Sequence, residues 1–522
     1  MKRKKRVYII ISIVIIYLAL IYFLHYSEQG APGSHIRTVG DAFWYSIVTL
    51  TTVGYGDVLP VSREGRAIGV VFLLLSTGLL VTLIGTVVSF LRGEAFPMLL
   101  LFFRRSKNWY YFADFSAESD TLAKDILHED ENAVIIYGIR RDEEIETPDY
   151  PCMFLNVSPS RIVDQKHGKG KKCTFFFMKE NDIGVNMKAI GLHQLPIDVY
   201  ARTTSGRENM SGNIHFFHSY DCCARSYWRT NPIHTSEKII VLIGFGHYGE
   251  ALLERAILTN IISSSQEICY HVFGDASRFL RIHQNLHKIY YINKRVYHHD
   301  SIFFHKESWT VHHDILKNAD RIIICEDDEN LGWDILWKLQ RYFVTGGRID
   351  IRTSRAAPGV NYFGTDEEIY TANQIIRTRL NEAAVTMNNL FRESIAAPTL
   401  DWDDLDDLLK QSKIAAADHI FLKLRILLQV EKQLELNRES CMLAYNAYSE
   451  AKKDPVLLDE LRRIEHIRWL HFYYYYNWSY GPKRDDTLRQ HPLIRDYDDL
   501  SEEEKTHHDF AWELLHGIAY RL

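Results

Sequence analysis

Thr51-Thr-Val-Gly-Tyr-Gly-Asp57 is the stretch on which the reading of this chain turns. Gly54 and Gly56, at alternate positions, open backbone conformations closed to most L-residues. A backbone freed in this way can aim successive carbonyls at one axis, and a ring of carbonyls can replace the water shell of a permeating cation. Thr52 adds a hydroxyl at the inner end, and Asp57 stands at the outer mouth. The preceding Asp41–Thr51 segment predicts a short amphipathic helix whose aromatics brace the loop. Two charge-free apolar runs flank it. Val7–Leu24 has 18 residues, about 27 Å as a helix, and Ala67–Leu91 has 25, about 37 Å, lengths that suit a bilayer. A cleaved signal peptide would need small residues after the first run, where Tyr22, Phe23 and His25 stand instead. Lys2–Arg6 precede the first run, and Arg92, Arg104, Arg105 and Lys107 follow the second, which places both ends on the cytoplasmic side.

On these residues the sequence resembles the potassium-channel pore-loop family in its two-transmembrane form, over residues 5–92. The resemblance implies that the carbonyls of Thr52, Val53, Gly54, Tyr55 and Gly56 coordinate K⁺ as the permeant ion. It also implies a homotetramer in the cell membrane, with each subunit multi-pass and both termini cytoplasmic. Trp44 is expected to donate its indole N–H to Asp57. Ser76 falls where many family members carry a hinge glycine, with Gly78 two residues on and Gly85 two turns further.

The remainder is soluble in character. With 522 residues, 61.0 kDa and 46% hydrophobic residues, there is room for about three domains beyond the pore. A net charge of −6 and the lack of a basic, aromatic-interleaved stripe exclude a nucleic-acid partner. The seven cysteines include no Cys-x-x-Cys pair and read as reduced and structural. The pairs His298–His299 and His312–His313 are poorly disposed to share a metal. Phe96–Phe103 is too short to span and reads as part of a linker over 93–107.

The strongest soluble motif is Lys238-Ile-Ile-Val-Leu-Ile-Gly-Phe-Gly-His-Tyr-Gly-Glu250. A buried strand runs into Gly244-x-Gly246-x-x-Gly249 and then a helix, the arrangement that cradles a dinucleotide's phosphates. Cys269–Asp275 predicts the next strand, ending in a carboxylate suited to a ribose hydroxyl. An adenine nucleotide or NAD(H) is the ligand this pattern admits, held by Gly244, Gly246, Gly249 and Asp275. Purely structural use of the glycines is the alternative. Further strands are expected at Arg321–Cys325 and Arg348–Ser354, with one more in the stretch that continues through Gly364–Tyr370. The acidic run Glu326–Glu329 is read as a solvated turn in preference to a divalent-cation site.

This succession resembles the regulator-of-K⁺-conductance (RCK) domain, a Rossmann-like α/β module, over 236–395, with 376–395 similar to its crossover helix. Weaker echoes over 108–235 include strands at 108–114, 133–138, 173–182, 197–205 and 214–218. Their first turn, Asp114-Phe-Ser-Ala-Glu-Ser119, has no glycine, so this first copy is degenerate as a nucleotide site. Two such domains per subunit imply a ring of eight under a four-fold pore.

Residues 396–459 read as a helical connector, with helices expected over Asp401–Gln411, Ala415–Asn437 and Met442–Lys452. The segment 460–522 contains Glu465-His466, Trp469, Trp478, Tyr480-Gly481-Pro482, Arg484-Asp485-Asp486 and His491-Pro492. It resembles the RyR domain, the repeat module of ryanodine receptors, and is expected to be mainly helical. Trp469, Trp478 and Tyr480 offer flat faces while Lys483, Arg484 and His491 offer charge, a set suited to a phosphate-bearing ligand. The same residues also suit the core and surface ion pairs of a small helical domain. The tyrosine run 473–476 reads as helix packing. The expected fold is therefore multi-domain: an all-α two-helix pore-loop membrane domain (1–92), two α/β Rossmann-like domains and a helical C-terminal domain. The expected function is a K⁺-selective channel gated by a cytoplasmic small-molecule ligand. A membrane-tethered nucleotide sensor with a silent pore is the rival reading. No nucleophile–base pair or metal motif points to an enzyme.

Overall fold

The computed structural model describes residues 2–93, 95–139, 148–157, 159–166, 172–179, 197–203, 213–290, 300–376, 379–394, 400–402, 404–432 and 434–521. They form two compact units, Met1–Arg104 and Arg105–Leu522.

The first unit is helical: α1 (Lys2–Glu28), α2 (Val39–Leu50), α3 (Arg63–Arg92) and α4 (Ala95–Phe103). Thr38 and Asp41 cap α2 reciprocally, satisfying N–H groups that a helix start leaves unpaired. Ile21, Leu24, Ile36, Ala42 and Phe72 form a small core, with Tyr17 and Tyr45 edge-on to Phe72. The Glu28 carboxylate, at the end of α1, accepts from the backbone N–H of Val61 and Ser62 and from Ser62 Oγ. These bonds anchor the chain just before α3. Among the described residues no single helix is long and apolar enough to cross a membrane, although Ile84–Leu91 and Phe96–Phe103, bent by 58°, reach that length together. The runs expected to span, 7–24 and 67–91, lie inside α1 and α3, and several of their side chains fall outside the described set.

The second unit holds two parallel six-stranded sheets. The first contains β1 (Asn108–Phe112), β2 (Ala133–Tyr137), β3 (Cys152–Phe154), β4 (Cys173–Phe177), β5 (Asp198–Arg202) and β6 (Ile214–Phe217) in the order β3-β2-β1-β4-β5-β6. The second contains β7 (Ile239–Ile243), β8 (Cys269–Phe273), β9 (Ser301–His305), β10 (Arg321–Ile324), β11 (Arg348–Arg352) and β12 (Asn361–Phe363) in the equivalent order β9-β8-β7-β10-β11-β12. This is the doubly wound order 3-2-1-4-5-6, twice. Central strands such as β10 and β4 are buried along their whole length, as expected where helices cover both faces. The helix Ser219–Thr230 links the copies: Tyr227 donates to Asp350 and Trp228 Nε1 to the Leu252 carbonyl.

Several sequence expectations are corrected. The last strand of the second copy ends at Phe363, and Asp366–Ile369 is a short helix capped by Thr365 and Glu368. The stretch Ala415–Asn437 is not one helix: Asp407–Asp418 and Ile420–Leu428 are separate, and Gln429 in the left-handed region (φ 51°) ends the second. The helix expected from Asp401 starts at Asp407, capped by Asp406, and that expected over Met442–Lys452 runs Arg438–Ala451. Residues 180–182, 204–205, 298–299, 377–378, 395–399, 403 and 433, on which parts of other expectations fall, lie outside the described residues.

A single helix, Pro455–Tyr475, then passes from the connector into the C-terminal segment. It seats its end against the second copy. His283 Nδ1 lies 2.9 Å from the Tyr475 carbonyl, and the Tyr475 hydroxyl donates to Glu254. Asn285 and Asn477 bond the two regions reciprocally, and His471 Nδ1 lies 3.0 Å from the Ile257 carbonyl. Tyr473, Tyr474 and Tyr475 are all buried, so the tyrosine run is packing.

Candidate functional site

The loop after α2 has φ of +60° at Thr52, +60° at Gly54 and +75° at Gly56, with Val53 and Tyr55 on the ordinary negative side. In a regular strand successive carbonyls alternate sides; alternating handedness turns them to the same side, the condition for a carbonyl-lined path. Among the described residues no atom stands within 4 Å of a Cβ placed on Gly54 or Gly56, so it is conformation and not crowding that favours glycine there. The loop starts tightly: the N–H groups of Val53 and Gly54 both donate to the Val48 carbonyl. Trp44 Nε1 donates to Asp57 Oδ2 at 3.0 Å, the bond the pore-loop resemblance implies, and the Trp44 ring stacks parallel to Tyr55 at 6.2 Å. Tyr17 and Ser46 share a hydroxyl bond that ties α1 to α2 behind this loop. Downstream, Gly78 and Gly85 lie in the unbroken helix α3. The Thr82 and Thr86 hydroxyls donate to the carbonyls of Gly78 and Thr82, back-bonds that favour bending.

In the second copy Gly244 and Gly249 are packed against backbone, and Gly246 against one side chain. A Cβ on Gly249 would lie 2.2 Å from the Gly244 carbonyl oxygen, and one on Gly244 (φ +97°) 2.7 Å from Glu326 N. A Cβ on Gly246 would lie 2.3 Å from the Asp327 carboxylate. That carboxylate sits over the start of the helix His247–Thr259, accepting from His247 N at 3.0 Å and Tyr248 N at 3.2 Å. The acidic run is a turn with Asp327 and Asp328 exposed to solvent, and its carboxylates are also engaged in hydrogen bonds. Asp327 caps one helix and Asp328 caps the next, Glu329–Tyr342, while Glu329 receives the backbone and hydroxyl of Ser354. Adjacency of β7 and β10 brings the two turns together. Burial raises the Glu326 pKa, and the neighbouring Asp327 and Asp328 charges raise it further. Asp275 is exposed and accepts from Ser277, whose hydroxyl and N–H hold its carboxyl below the usual range.

The equivalent turn of the first copy is closed differently. Ser116 caps the helix Ala117–Glu129, and Glu118 pairs with Arg202 at 3.1 Å. Asp114 lies beneath it, pushed up to about 6 by burial and then by the Glu118 charge; Asp366, from the second copy, is likewise raised to about 6 by burial, Glu118 and Glu367.

In the C-terminal segment, Trp469 packs on Tyr473 (4.3 Å) and His491 (5.0 Å), and Tyr473 on Trp478 (5.1 Å). The Arg484 guanidinium lies 5.9 Å from the Trp478 ring and pairs with Asp486. Burial and then the Arg484 charge lower the His491 pKa. Trp478 is only 1% exposed, whereas Tyr480, Lys483 and Arg484 face solvent. Beneath this cluster Glu465 is buried between Arg468 (2.6 Å) and Lys423 (2.8 Å), a charge set that sequence reading had missed because Lys423 is contributed by another helix. No group of three or more His, Cys, Asp or Glu among the described residues is placed to hold a metal. His312 stacks near Phe273 and His305 while its neighbour His313 stacks on Phe343.

Residues 9–93 match the sequence profile of a family described as ion channel. The chain is 46% identical over 67 residues to a voltage-gated potassium channel of Aeropyrum pernix, covering 13% of this chain and 22% of that one. It is 43% identical over 56 residues to mouse potassium voltage-gated channel subfamily A member 5, covering 11% of this chain and 9% of that one. Among solved structures, GsuK bound to ADP superposes with a TM-score of 0.39 at 12% identity over 73% of this chain and 99% of that one. The GsuK channel bound to NAD gives a TM-score of 0.38 at 11% identity over 73% and 84%. The chain spans less than a quarter of the length of these two curated relatives, and the ion-channel profile match lies within its N-terminal unit.

Proposed function

We propose that four copies of this chain form a K⁺-selective channel of the cell membrane, opened or closed by a small molecule bound on the cytoplasmic side. The observation that carries the reading is the alternation of backbone handedness at Thr52, Gly54 and Gly56, braced by the Trp44–Asp57 bond between two long helices. Exposed apolar side chains along α3, such as Val70, Leu73, Leu74, Val81 and Ile84, suit lipid and neighbouring subunits. In this reading α1 and α3 are the two spans and both termini are cytoplasmic. The twin doubly wound sheets serve as two RCK domains, and a ring of eight couples ligand to pore. The intact glycine turn at 244–249, with Asp275, is the site for an adenine nucleotide or NAD(H), and the glycine-free turn at 114–119 is not. Residues 460–522 act as an RyR domain, and the burial of Trp478 supports a bracing role for its aromatic cluster over a ligand-facing one. The chain is a channel rather than an enzyme.

The test is K⁺ and Na⁺ flux through purified protein in liposomes. Alanine at position 54 must hold a left-handed conformation, costing about 1 kcal/mol or more. Gly54→Ala is therefore expected to abolish K⁺ conduction while the protein remains tetrameric and membrane-inserted. An unchanged preference for K⁺ over Na⁺ in that variant overturns the filter assignment.

A further inference from the structure

We propose that Asp327 is a built-in competitor at the glycine turn, so that a nucleotide binds the second Rossmann copy only by displacing this carboxylate. The inference rests on the nucleotide reading of that turn given above. A phosphate at a doubly wound fold's first turn takes the free N–H groups at the helix start and approaches the second glycine closely. Both features are engaged here. The N–H groups of His247 and Tyr248 donate to the two Asp327 oxygens, and Gly246 lacks a Cβ where Asp327 Oδ2 would lie 2.3 Å away. A carboxylate and a phosphate cannot share these donors, and like charge at this range is repulsive. Glu326, against Gly244, and Asp328 make the turn more negative still. The guanidinium of Arg352 is the nearby cation, 3.4 Å from the Asp327 carbonyl and stacked on Tyr248.

The competitor also gives the site a mechanical output. Asp327 directly precedes Asp328, the N-cap of the helix Glu329–Tyr342. Expelling the carboxylate frees the residue next to that N-cap from its bonds to the helix His247–Thr259, so occupancy of the turn uncouples the starts of the two helices. Apparent affinity is then reduced by the fraction of molecules in which the turn is uncapped.

Calorimetric titration of ADP, with EDTA present, into the full-length detergent-solubilised protein tests this. Wild type, Asp327→Ala and the double variant Asp327→Ala with Asp275→Asn are compared, together with Asp327→Ser, which retains a capping hydroxyl should the alanine variant fold poorly. The expected result is ADP binding at least tenfold tighter in Asp327→Ala and Asp327→Ser than in wild type, with the gain reduced in the double variant. Equal, measurable affinity in wild type and both single variants overturns the competitor while leaving the nucleotide reading standing. Absence of binding in every protein overturns both.

Discussion

The two Rossmann-like copies share a strand order but close their first turns by different chemistry. In the first, Ser116 caps the helix and the largely buried carboxyl of Asp114 lies in the same turn; in the second, glycines leave the turn open and Asp327 reaches in from the turn after the adjacent strand to cap it. The first closure is local in sequence and the second spans 80 residues. A local cap is fixed once the helix forms, whereas a distant carboxylate can be exchanged for another anion. Loss of the glycines thus removes an exchangeable seat and not the fold, which both copies retain. A second asymmetry lies one strand over. Arg321 opens β10 fully buried and is held bidentately by Glu237, while the equivalent position of β4 is Cys173.

The largest effect expected from probing this comparison follows from that ion pair. Glu237→Ala strands the Arg321 guanidinium among backbone carbonyls, and the loss is about 3 kcal/mol or more, as for broken buried pairs. Cys173→Ala, which removes no charge, should cost about 1 kcal/mol. Denaturant unfolding of both variants measures the gap, and equal losses would show that Arg321 is no more demanding than the thiol.

Next is a pH effect at the first copy's turn. The Asp114 carboxyl is raised from 3.8 to about 6, so its folded state favours the neutral acid. Stability associated with it is present below pH 4 and is lost as pH rises through 6, then stays constant. Asp114→Asn should therefore stabilise the protein by on the order of 1–2 kcal/mol at pH 8, with the gain shrinking toward pH 4. Melting temperatures at pH 8 and pH 5 follow this, and a pH-independent gap between variant and wild type would rule out the carboxyl's charge as the cause. The smallest effect expected is from Ser116→Ala, about 1 kcal/mol from the lost cap. Hydrogen exchange at the start of the helix Ala117–Glu129 reports it, and unchanged protection would mean that Ser119 alone suffices.

The strands that were plain in the sequence are the buried runs Ile239–Ile243 and Arg321–Ile324, because unbroken isoleucine-rich stretches entering a glycine or acidic turn leave few alternatives. The edge strands β3 and β9 were not legible. Cys152–Phe154 is three residues long, and Ser301–His305 is half-exposed with mixed polarity, as an edge permits. The left-handed turns at Gly54 and Gly56 were legible to the residue because these glycines answer to backbone conformation, which sequence reports directly. The role of Asp327 was not. It follows from β7 lying beside β10, a fact of strand order that no spacing along the chain reveals.

The helix Pro455–Tyr475 limits how freely the parts of this chain can be exchanged. Its final turn is fastened to the second Rossmann copy through Glu254, Ile257, Ile282, His283 and Asn285. A C-terminal segment joined in this way is not an interchangeable bead on a string. A homologous segment transplanted onto another Rossmann domain would bring an aromatic wall and a row of polar groups cut to fit one neighbour. A substitution on one side of the seam therefore calls for a matching change on the other.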